Sequence, residues 1–391
     1  MVTRWIQAEI IAVIGGGYGG AAVAKALDAE TGAEVVLIEP KDAFEHAAGS
    51  LRALVRPEWA PNVFFPYDRL LERGRVVRER AASVDAHGVT LASGARVDAD
   101  HVVIATGSAY PRPAKSGLDS AAEALAALRA THEELASARR VLVTGAGPVG
   151  LELAGEITSV WPEKQVILVD PAPELLPAFA PELRADLLSQ LAALGVELRL
   201  GTTLAEEPPA EPGRAKTFTV TTTDGAGLTA DIWFRAHGVH VRSDFLSGEL
   251  AAARTPQGRV RVDEHLRVEG QERVYAVGDV TDLAEAKMAG YAMQHAEVVA
   301  RNIASALRGE RPTAVYRPSP VPSVLLPLGP TGGVGQVPSP EGPQILPAET
   351  VALYKGADLF TGRFAELFGT APDAAPAPDA SPATAGAGAS A

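Results

Sequence analysis

Short apolar runs that end in glycine-rich turns set the pattern of the first third of the chain. Residues 10–14 form one such run, and continuous apolar runs of this length are typical of strands buried on both faces of a parallel sheet. The small residues at 19–27 predict a helix packed closely against this strand. Apolar runs at 35–38 and 101–105 predict neighbouring strands. The pattern therefore predicts an α/β fold.

The middle of the chain repeats this pattern. An Ala/Leu/Glu-rich helix is expected at 121–136, and a strand from Val141 then leads into a second glycine loop and helix. The next strand, 166–169, ends at Asp170, as the strand at 35–38 ends at Glu39. The sequence thus contains two copies of a unit made of strand, glycine loop, helix, strand and acidic residue.

Further elements are expected in the second half. Strands are predicted within 218–234, from Val274 and at 324–326, and a helix at 288–307. The last stretch, 371–391, contains no large apolar residue. It predicts a disordered tail, because such a composition buries too little surface to offset the entropy of ordering.

The first glycine loop has the spacing G-x-G-x-x-G. Its glycines are Gly15, Gly17 and Gly20, and Glu39 follows Gly15 by 24 positions. The first glycine makes the strand-to-helix turn, the second lets a pyrophosphate approach the backbone, and the third allows close helix–strand packing. The helix N-terminus supplies amide donors, and Glu39 is placed to bind an adenosine ribose.

The second loop repeats the motif with Gly145, Gly147 and Gly150, and Asp170 follows Gly145 by 25 positions. Two copies with the same strand context are much stronger evidence than one. An acidic residue here favours the free 2′-hydroxyl of NAD over the 2′-phosphate of NADP. The sequence therefore predicts NADH, with NADPH disfavoured, beside a second dinucleotide, FAD.

Composition excludes several other classes. The formal charge is −13, which disfavours nucleic acid as a partner. The count of cysteines is zero, so the chain has no redox cysteine pair and no thiolate metal ligand. No apolar run of about 18 or more residues predicts a membrane span. With neither a signal-peptide pattern nor a myristoylation motif at its start, we expect a cytoplasmic protein and leave peripheral membrane contact open.

The order GGGYGG, IEPKDAFEH, GAGPVGLELAGEI and VYAVGDV resembles the two-dinucleotide flavoprotein reductases, among them the type II NADH dehydrogenases. The segments that begin at Lys41 and Tyr354 make the chain most similar to the ferroptosis-suppressor branch of the apoptosis-inducing-factor family. The resemblance runs from about Ile10 to Phe368. It implies reduction of a quinone by NAD(P)H through FAD.

The resemblance also implies two Rossmann-like domains arranged as in glutathione reductase, followed by a small α+β domain. We expect the FAD-binding domain at 1–112 and 242–317, the NADH-binding domain at 113–241 and the C-terminal domain at 318–370. The implied FAD contacts are Gly15, Gly17, Gly20, Glu39, Lys41, Arg52, Thr106, Gly107, Asp279, Lys287 and Met288. The implied NADH contacts are Gly145, Gly147, Gly150 and Asp170, and the implied catalytic residues are Glu156 and Lys355.

Several alternatives stay open at the level of sequence. The acceptor is a quinone in the first hypothesis and a ferredoxin- or rubredoxin-type protein in the second, and the third is a slow, NADH-sensing flavoprotein. The apolar positions within 359–368 fit either a membrane or quinone-tunnel surface or ordinary core. His46 and His295 are interpreted as local hydrogen-bonding residues, and His237 as a turn residue. No cluster of side chains predicts a metal, and the chain is expected to be a monomer or a homodimer.

Overall fold

A computed structural model describes residues 8–370 of the chain. The predicted tail, 371–391, lies outside the described residues. The strands are β1 (Ile10–Ile14), β2 (Glu34–Ile38), β3 (Ala43–Glu45), β4 (Phe64–Pro66), β5 (Arg75–Val77), β6 (Ala81–Asp85), β7 (Gly88–Leu91), β8 (Arg96–Asp98), β9 (His101–Ile104), β10 (Arg140–Thr144), β11 (Gln165–Asp170), β12 (Glu197–Leu200), β13 (Phe218–Thr221), β14 (Gly227–Ala230), β15 (Ile232–Arg235), β16 (Val274–Ala276), β17 (Val324–Leu328), β18 (Gly332–Ser339) and β19 (Gly342–Leu346).

The helices within residues 8–370 include those predicted at 19–27, 121–136 and 288–307 and the one after the second glycine loop. They are α1 (Tyr18–Glu30), α2 (Ala47–Val55), α3 (Ala121–Ser137), α4 (Pro148–Val160), α5 (Pro181–Ala193), α6 (Glu249–Ala252), α7 (Ala289–Leu307), α8 (Ala348–Val351) and α9 (Thr361–Leu367). Short 3-10 turns occur at Pro57–Asn62, Tyr67–Arg69 and Gly278–Val280, and a π-helical turn at Ala352–Gly356.

Five strands form a parallel sheet in the order β16-β9-β1-β2-β5. The central strand β1 pairs with β2 over its whole length, from Ile10 opposite Glu34 to Ile14 opposite Ile38. Its apolar side chains are buried on both faces, one against α1 and α7 and the other beneath the small antiparallel sheet β6-β7-β8. The continuous apolar run is therefore explained by burial on both sides.

A second parallel sheet has the order β15-β10-β11-β12. Its central strand β10 lies between β11 and β15 just as β1 lies between β2 and β9. The duplication expected from the sequence is thus present in the topology, and the predicted α/β fold with parallel sheets is confirmed.

The strands β17, β18 and β19 form an antiparallel sheet against α4. Gly155 allows the approach, because a Cβ there would lie 2.6 Å from the Cα of Leu328. This contact carries the C-terminal segment to the helix that follows the second glycine loop.

The apolar positions of the last helix belong to the core. Phe364 and Phe368 pack with Phe44 from β3, and the Phe44 and Phe368 rings stack at 4.8 Å between centroids. Phe368 is fully buried. Of the two interpretations of 359–368, core packing is the one that the structure supports. No helix within residues 8–370 has both the length and the apolar character needed to span a membrane.

Candidate functional site

The two glycine loops have nearly the same backbone. Gly15 has φ +101° and Gly145 has φ +103°, a region that side chains with a Cβ rarely adopt. A Cβ on Gly15 would lie 2.5 Å from the carbonyl oxygen of Ala105, and one on Gly145 would lie 2.6 Å from that of Ala236. Both first glycines therefore make the turn that the motif requires.

Of the other glycines in the two motifs, one pair is closely packed and the other pair leaves open space beside the backbone. A Cβ on Gly20 or Gly150 would lie 1.9 Å from the carbonyl oxygen of the first glycine of its loop. Gly17 and Gly147, in contrast, would place a Cβ in open space. Each of these two residues is the N-cap of its helix and no side chain caps the helix amides. The open side and the uncapped amides fit a pyrophosphate group at each loop.

The acidic residue that follows each glycine loop accepts hydrogen bonds from backbone amides, one of them in the loop itself. Glu39 accepts hydrogen bonds from the amides of Gly16, at 2.7 Å, and Lys41, at 3.0 Å. Asp170 accepts them from the amides of Ala146, at 2.7 Å, and Ala172, at 2.8 Å. A carboxylate has about four acceptor positions, so both side chains keep capacity for ribose hydroxyls.

The predicted flavin residues near the ends of β9 and β16 lie close together. Gly107 has φ +59°, and the Thr106 hydroxyl donates to the carbonyl of Arg242 at 3.3 Å. The next residue, Ser108, donates from its hydroxyl to Asp279 Oδ2 at 2.5 Å. The structure thereby brings the Thr106–Gly107 turn and Asp279 to one edge of the first sheet.

His295 supports the turn that carries Asp279. Its Nδ1 accepts the amide of Gly278 at 3.0 Å, and its Nε2 lies 2.8 Å from Glu285 Oε1. The Tyr316 hydroxyl donates to the other oxygen of Glu285 at 2.5 Å. Burial would raise the pKa of Glu285, but the bonds from His295 and Tyr316 hold it below its ordinary value. His295 is therefore a local hydrogen-bonding residue, as the sequence predicted.

The loop before α7 is fixed by a lysine. Lys287 donates from Nζ to the carbonyls of Thr281, at 3.0 Å, and Leu283, at 2.9 Å, and Met288 is the N-cap of α7. Lys41, for its part, pairs with Glu45 at 2.5 Å. Both lysines lie near the predicted FAD site, with their ammonium groups already bonded within the protein.

The second histidine of the sequence interpretation, His46, is also a local hydrogen-bonding residue. The hydroxyl of Tyr18 lies 2.9 Å from its Nδ1, and its Nε2 lies 2.8 Å from the carbonyl of Leu359. Burial lowers the pKa of His46 to about 4. A neutral ring that donates from Nε2 and accepts at Nδ1 satisfies both contacts.

Two glutamates on α4 bind cations from other parts of the chain. Glu152 accepts from Lys355 Nζ at 2.8 Å, and that ammonium also donates to the carbonyl of Leu325 at 2.9 Å. Glu156 accepts from Arg52 Nε at 3.0 Å and Nη2 at 2.7 Å. The side chains of Arg52 and Glu156 are almost fully buried.

Glu152 was missed in the sequence analysis. The structure pairs it with Lys355, whereas the predicted catalytic residue Glu156 pairs with the predicted FAD contact Arg52. The available signal was the spacing of four residues, which places both carboxylates on one face of the helix. His237, in the loop after β15, is exposed, and its interpretation as a turn residue stays a prediction.

Comparison with known proteins gives the family. The model of the pyridine nucleotide-disulphide oxidoreductases matches residues 10–301. The chain belongs to this family. It is an NAD(P)H-dependent flavoprotein oxidoreductase, which confirms the general function and the cofactor classes expected from the sequence.

Curated relatives confirm the resemblance to the ferroptosis-suppressor branch. Ferroptosis suppressor protein 1 of Taeniopygia guttata is 32% identical over 338 residues, which cover 84% of this chain and 88% of the relative. The Homo sapiens protein of the same name is 31% identical, with the same coverage of both chains. Apoptosis-inducing factor homolog B of Dictyostelium discoideum is 28% identical and covers 90% of this chain and 95% of its own.

Solved structures of more distant proteins share the fold. The sulfide:quinone oxidoreductase of Aquifex aeolicus superposes with a TM-score of 0.73 at 18% identity, over 93% of this chain and 92% of that chain. A covalent putidaredoxin reductase–putidaredoxin complex gives a TM-score of 0.65 at 21% identity, over 85% and 82%. At these identities the likeness supports the architecture alone.

Proposed function

We propose that this family member binds FAD at the first glycine loop and NADH at the second, and that it reduces a quinone. The single observation that carries the proposal is the position of Lys355. It bonds to Glu152 on the helix of the second loop, and the two residues before it in the chain, Leu353 and Tyr354, have exposed apolar side chains. An apolar, electron-accepting ring can approach a positive charge there.

The proposed division of the chain follows the two parallel sheets. Residues 1–112 and 242–317 would form the FAD-binding domain, 113–241 the NADH-binding domain and 318–370 the C-terminal domain. The division is supported by the sheet orders, because the strand β16, which comes late in the chain, pairs with β9 in the first sheet. The contact of α4 with β17 brings the C-terminal segment to the second unit.

Lys355, Glu152 and Asp279 have proposed roles in binding the flavin and in stabilising charge on the quinone. FAD, when bound, accepts a hydride from the nicotinamide and passes two electrons to the acceptor. Glu152 holds the Lys355 ammonium in one position, and Lys355 can stabilise negative charge on a quinone oxygen or donate a proton to it. Asp279 and the start of α7 are proposed flavin contacts. Because the sequence holds no cysteine, a disulfide route for the electrons is closed.

Replacing Lys355 with Met is expected to slow the acceptor half-reaction. Loss of one charge-assisted hydrogen bond to the reacting oxygen lowers the rate of quinone reduction about 10- to 100-fold. Rapid-mixing measurements should show reduction of the flavin by NADH changed much less than its reoxidation by quinone. Lys216→Met, at an exposed lysine that donates to the carbonyl of Pro209, is the control. Equal slowing of both half-reactions would contradict the assignment to the acceptor side.

The preference for NADH is proposed to depend on Asp170. Asp170→Ala is expected to weaken the binding of NADH about 10- to 100-fold, since a charged acceptor for the ribose hydroxyls is lost. The substitution should leave the binding of NADPH unchanged or strengthen it, because the repulsion between the carboxylate and the 2′-phosphate is removed. The ratio of kcat/KM for the two nucleotides measures the change. Wild-type protein that uses both nucleotides equally would contradict the proposal.

One experiment tests the proposed function against its rivals. The purified flavoprotein is mixed with stoichiometric NADH and the flavin absorbance is followed, and a soluble quinone is then added. Rapid bleaching by NADH and rapid reoxidation by quinone are the expected results. Bleaching that persists with quinone but disappears with a ferredoxin- or rubredoxin-type protein would favour the second hypothesis. A long-lived reduced state with every acceptor would favour the NADH-sensing flavoprotein.

A cytoplasmic location and a monomeric or homodimeric state stay predictions. Peripheral membrane contact through the C-terminal segment is likewise a proposal, supported by the exposure of Leu353 and Tyr354.

A further inference from the structure

The segment after β9 holds a lysine beside the turn of Asp279. Lys115 donates from Nζ to the carbonyl of Ser108 at 2.6 Å and to its hydroxyl at 3.2 Å. The Ser108 hydroxyl donates in turn to Asp279 Oδ2. The ammonium nitrogen itself lies 4.0 Å from that carboxylate oxygen, close enough for attraction but too far for a hydrogen bond.

The residue after Lys115 anchors the segment to the other side of the predicted FAD site. Ser116 donates from its amide to Glu45 Oε1 at 2.6 Å and from its hydroxyl to Glu45 Oε2 at 2.9 Å. Glu45 is the same carboxylate that pairs with Lys41. Lys115 is therefore placed between the β3 edge and the Asp279 turn, and its backbone neighbours are fixed.

Lys115 keeps donor capacity that its contacts with the described residues do not use. Burial lowers the pKa of Lys115, while Asp279 and Glu45 act in the opposite direction. Two other lysines at the site, Lys41 and Lys287, are bonded to a carboxylate and to backbone carbonyls. An ammonium has three donors, and two of the contacts of Lys115 go to the single residue Ser108. Its third donor is thus the one to consider for a bound ligand.

We propose that Lys115 is a phosphate-binding residue, whose Nζ donates to the pyrophosphate of FAD. The inference rests on the proposed binding of FAD at the first glycine loop. Ser108 orients the ammonium, and Asp279, 4.0 Å away, favours its charged form. Lys115 lies outside both glycine motifs, in a stretch that follows the Pro111–Pro113 linker, so no local motif marks it.

The test is the affinity of apoprotein for FAD in a charge series. Wild type and the variants Lys115→Arg, Lys115→Met and Lys115→Glu are stripped of flavin and titrated with FAD at low and high salt. Lys115→Met should lower the affinity for FAD about 10- to 100-fold, as expected for the loss of a charged hydrogen bond. Lys115→Glu should lower the affinity for FAD further, whereas Lys115→Arg should retain most of the wild-type affinity. High salt should reduce the differences in affinity among the four proteins, because it screens the charges.

A structural role would give a different pattern. If Lys115 only ties its segment to Ser108, the Met and Glu variants lose FAD equally at both salt concentrations, and the proposal fails. It also fails if all three variants bind FAD as tightly as wild type. Thermal unfolding of each apoprotein, with Lys216→Met as the control, separates loss of fold from loss of affinity. Wild-type protein that binds no FAD would instead overturn the proposed function.

Discussion

Gly17→Ala is expected to fold normally and to lose FAD. Gly17 has φ −69°, which alanine adopts without strain, and its Cβ would meet no atom within 4 Å. The fold should be unaffected or slightly more stable, because alanine has less freedom than glycine in the unfolded chain. The methyl group would, however, occupy the side from which a pyrophosphate approaches the backbone. The measurements are flavin content per chain and the thermal unfolding midpoint.

Two further glycine variants make the experiment specific. Gly147→Ala should keep FAD and raise KM for NADH, because Gly147 has the same open position in the second loop. Gly20→Ala should fail to fold stably, since its Cβ would lie 1.9 Å from the carbonyl oxygen of Gly15. If Gly17→Ala retains as much flavin as wild type, the assignment of FAD to the first loop is wrong.

The glycine loops could be predicted from sequence because their geometry is local. The φ of Gly15 and Gly145 and the close approach at Gly20 and Gly150 arise within one strand–turn–helix unit, so fixed spacing is enough to identify them. The acidic residue of each unit ends the next strand of the same sheet, where it reaches the loop. These features need no knowledge of how distant parts of the chain meet.

The centre of the site depends on distant contacts that no local pattern encodes. The sequence does not indicate whether Lys355 pairs with Glu152 or with Glu156, because both glutamates occupy the same face of α4. Lys355 lies 203 positions from its actual partner, Glu152. The apolar residues within 359–368 were ambiguous for the same reason. Their partner Phe44 lies at the other end of the chain, and an apolar helix face has the same pattern over a core as over a membrane.

Arg52→Met is expected to destabilise the protein by about 3–5 kcal/mol, the usual effect of removing one partner of a buried ion pair. Glu156 would be left buried without the guanidinium that now donates to its Oε1, and its Oε2 already lacks a partner among the described residues. Arg52 also donates to the carbonyl of Ala357 at 3.0 Å and lies over the Trp59 ring. The variant therefore loosens contacts among α2, α4 and the C-terminal segment. Urea unfolding of the flavin-free proteins measures the change, because Arg52 is also a predicted FAD contact and bound FAD would add its own contribution.

The matched control is an ion pair on the surface. Arg75 pairs with Glu34 at 2.9 Å, but 53% of the arginine side chain is exposed, so Arg75→Met should cost no more than about 1 kcal/mol. The double variant Arg52→Met/Glu156→Leu should recover part of the loss, because no unpaired charge then remains buried. A double variant at least as unstable as the sum of its single variants would show that packing around Trp59, rather than the unpaired carboxylate, dominates. Equal losses from Arg52→Met and Arg75→Met would refute the importance of burial at this pair.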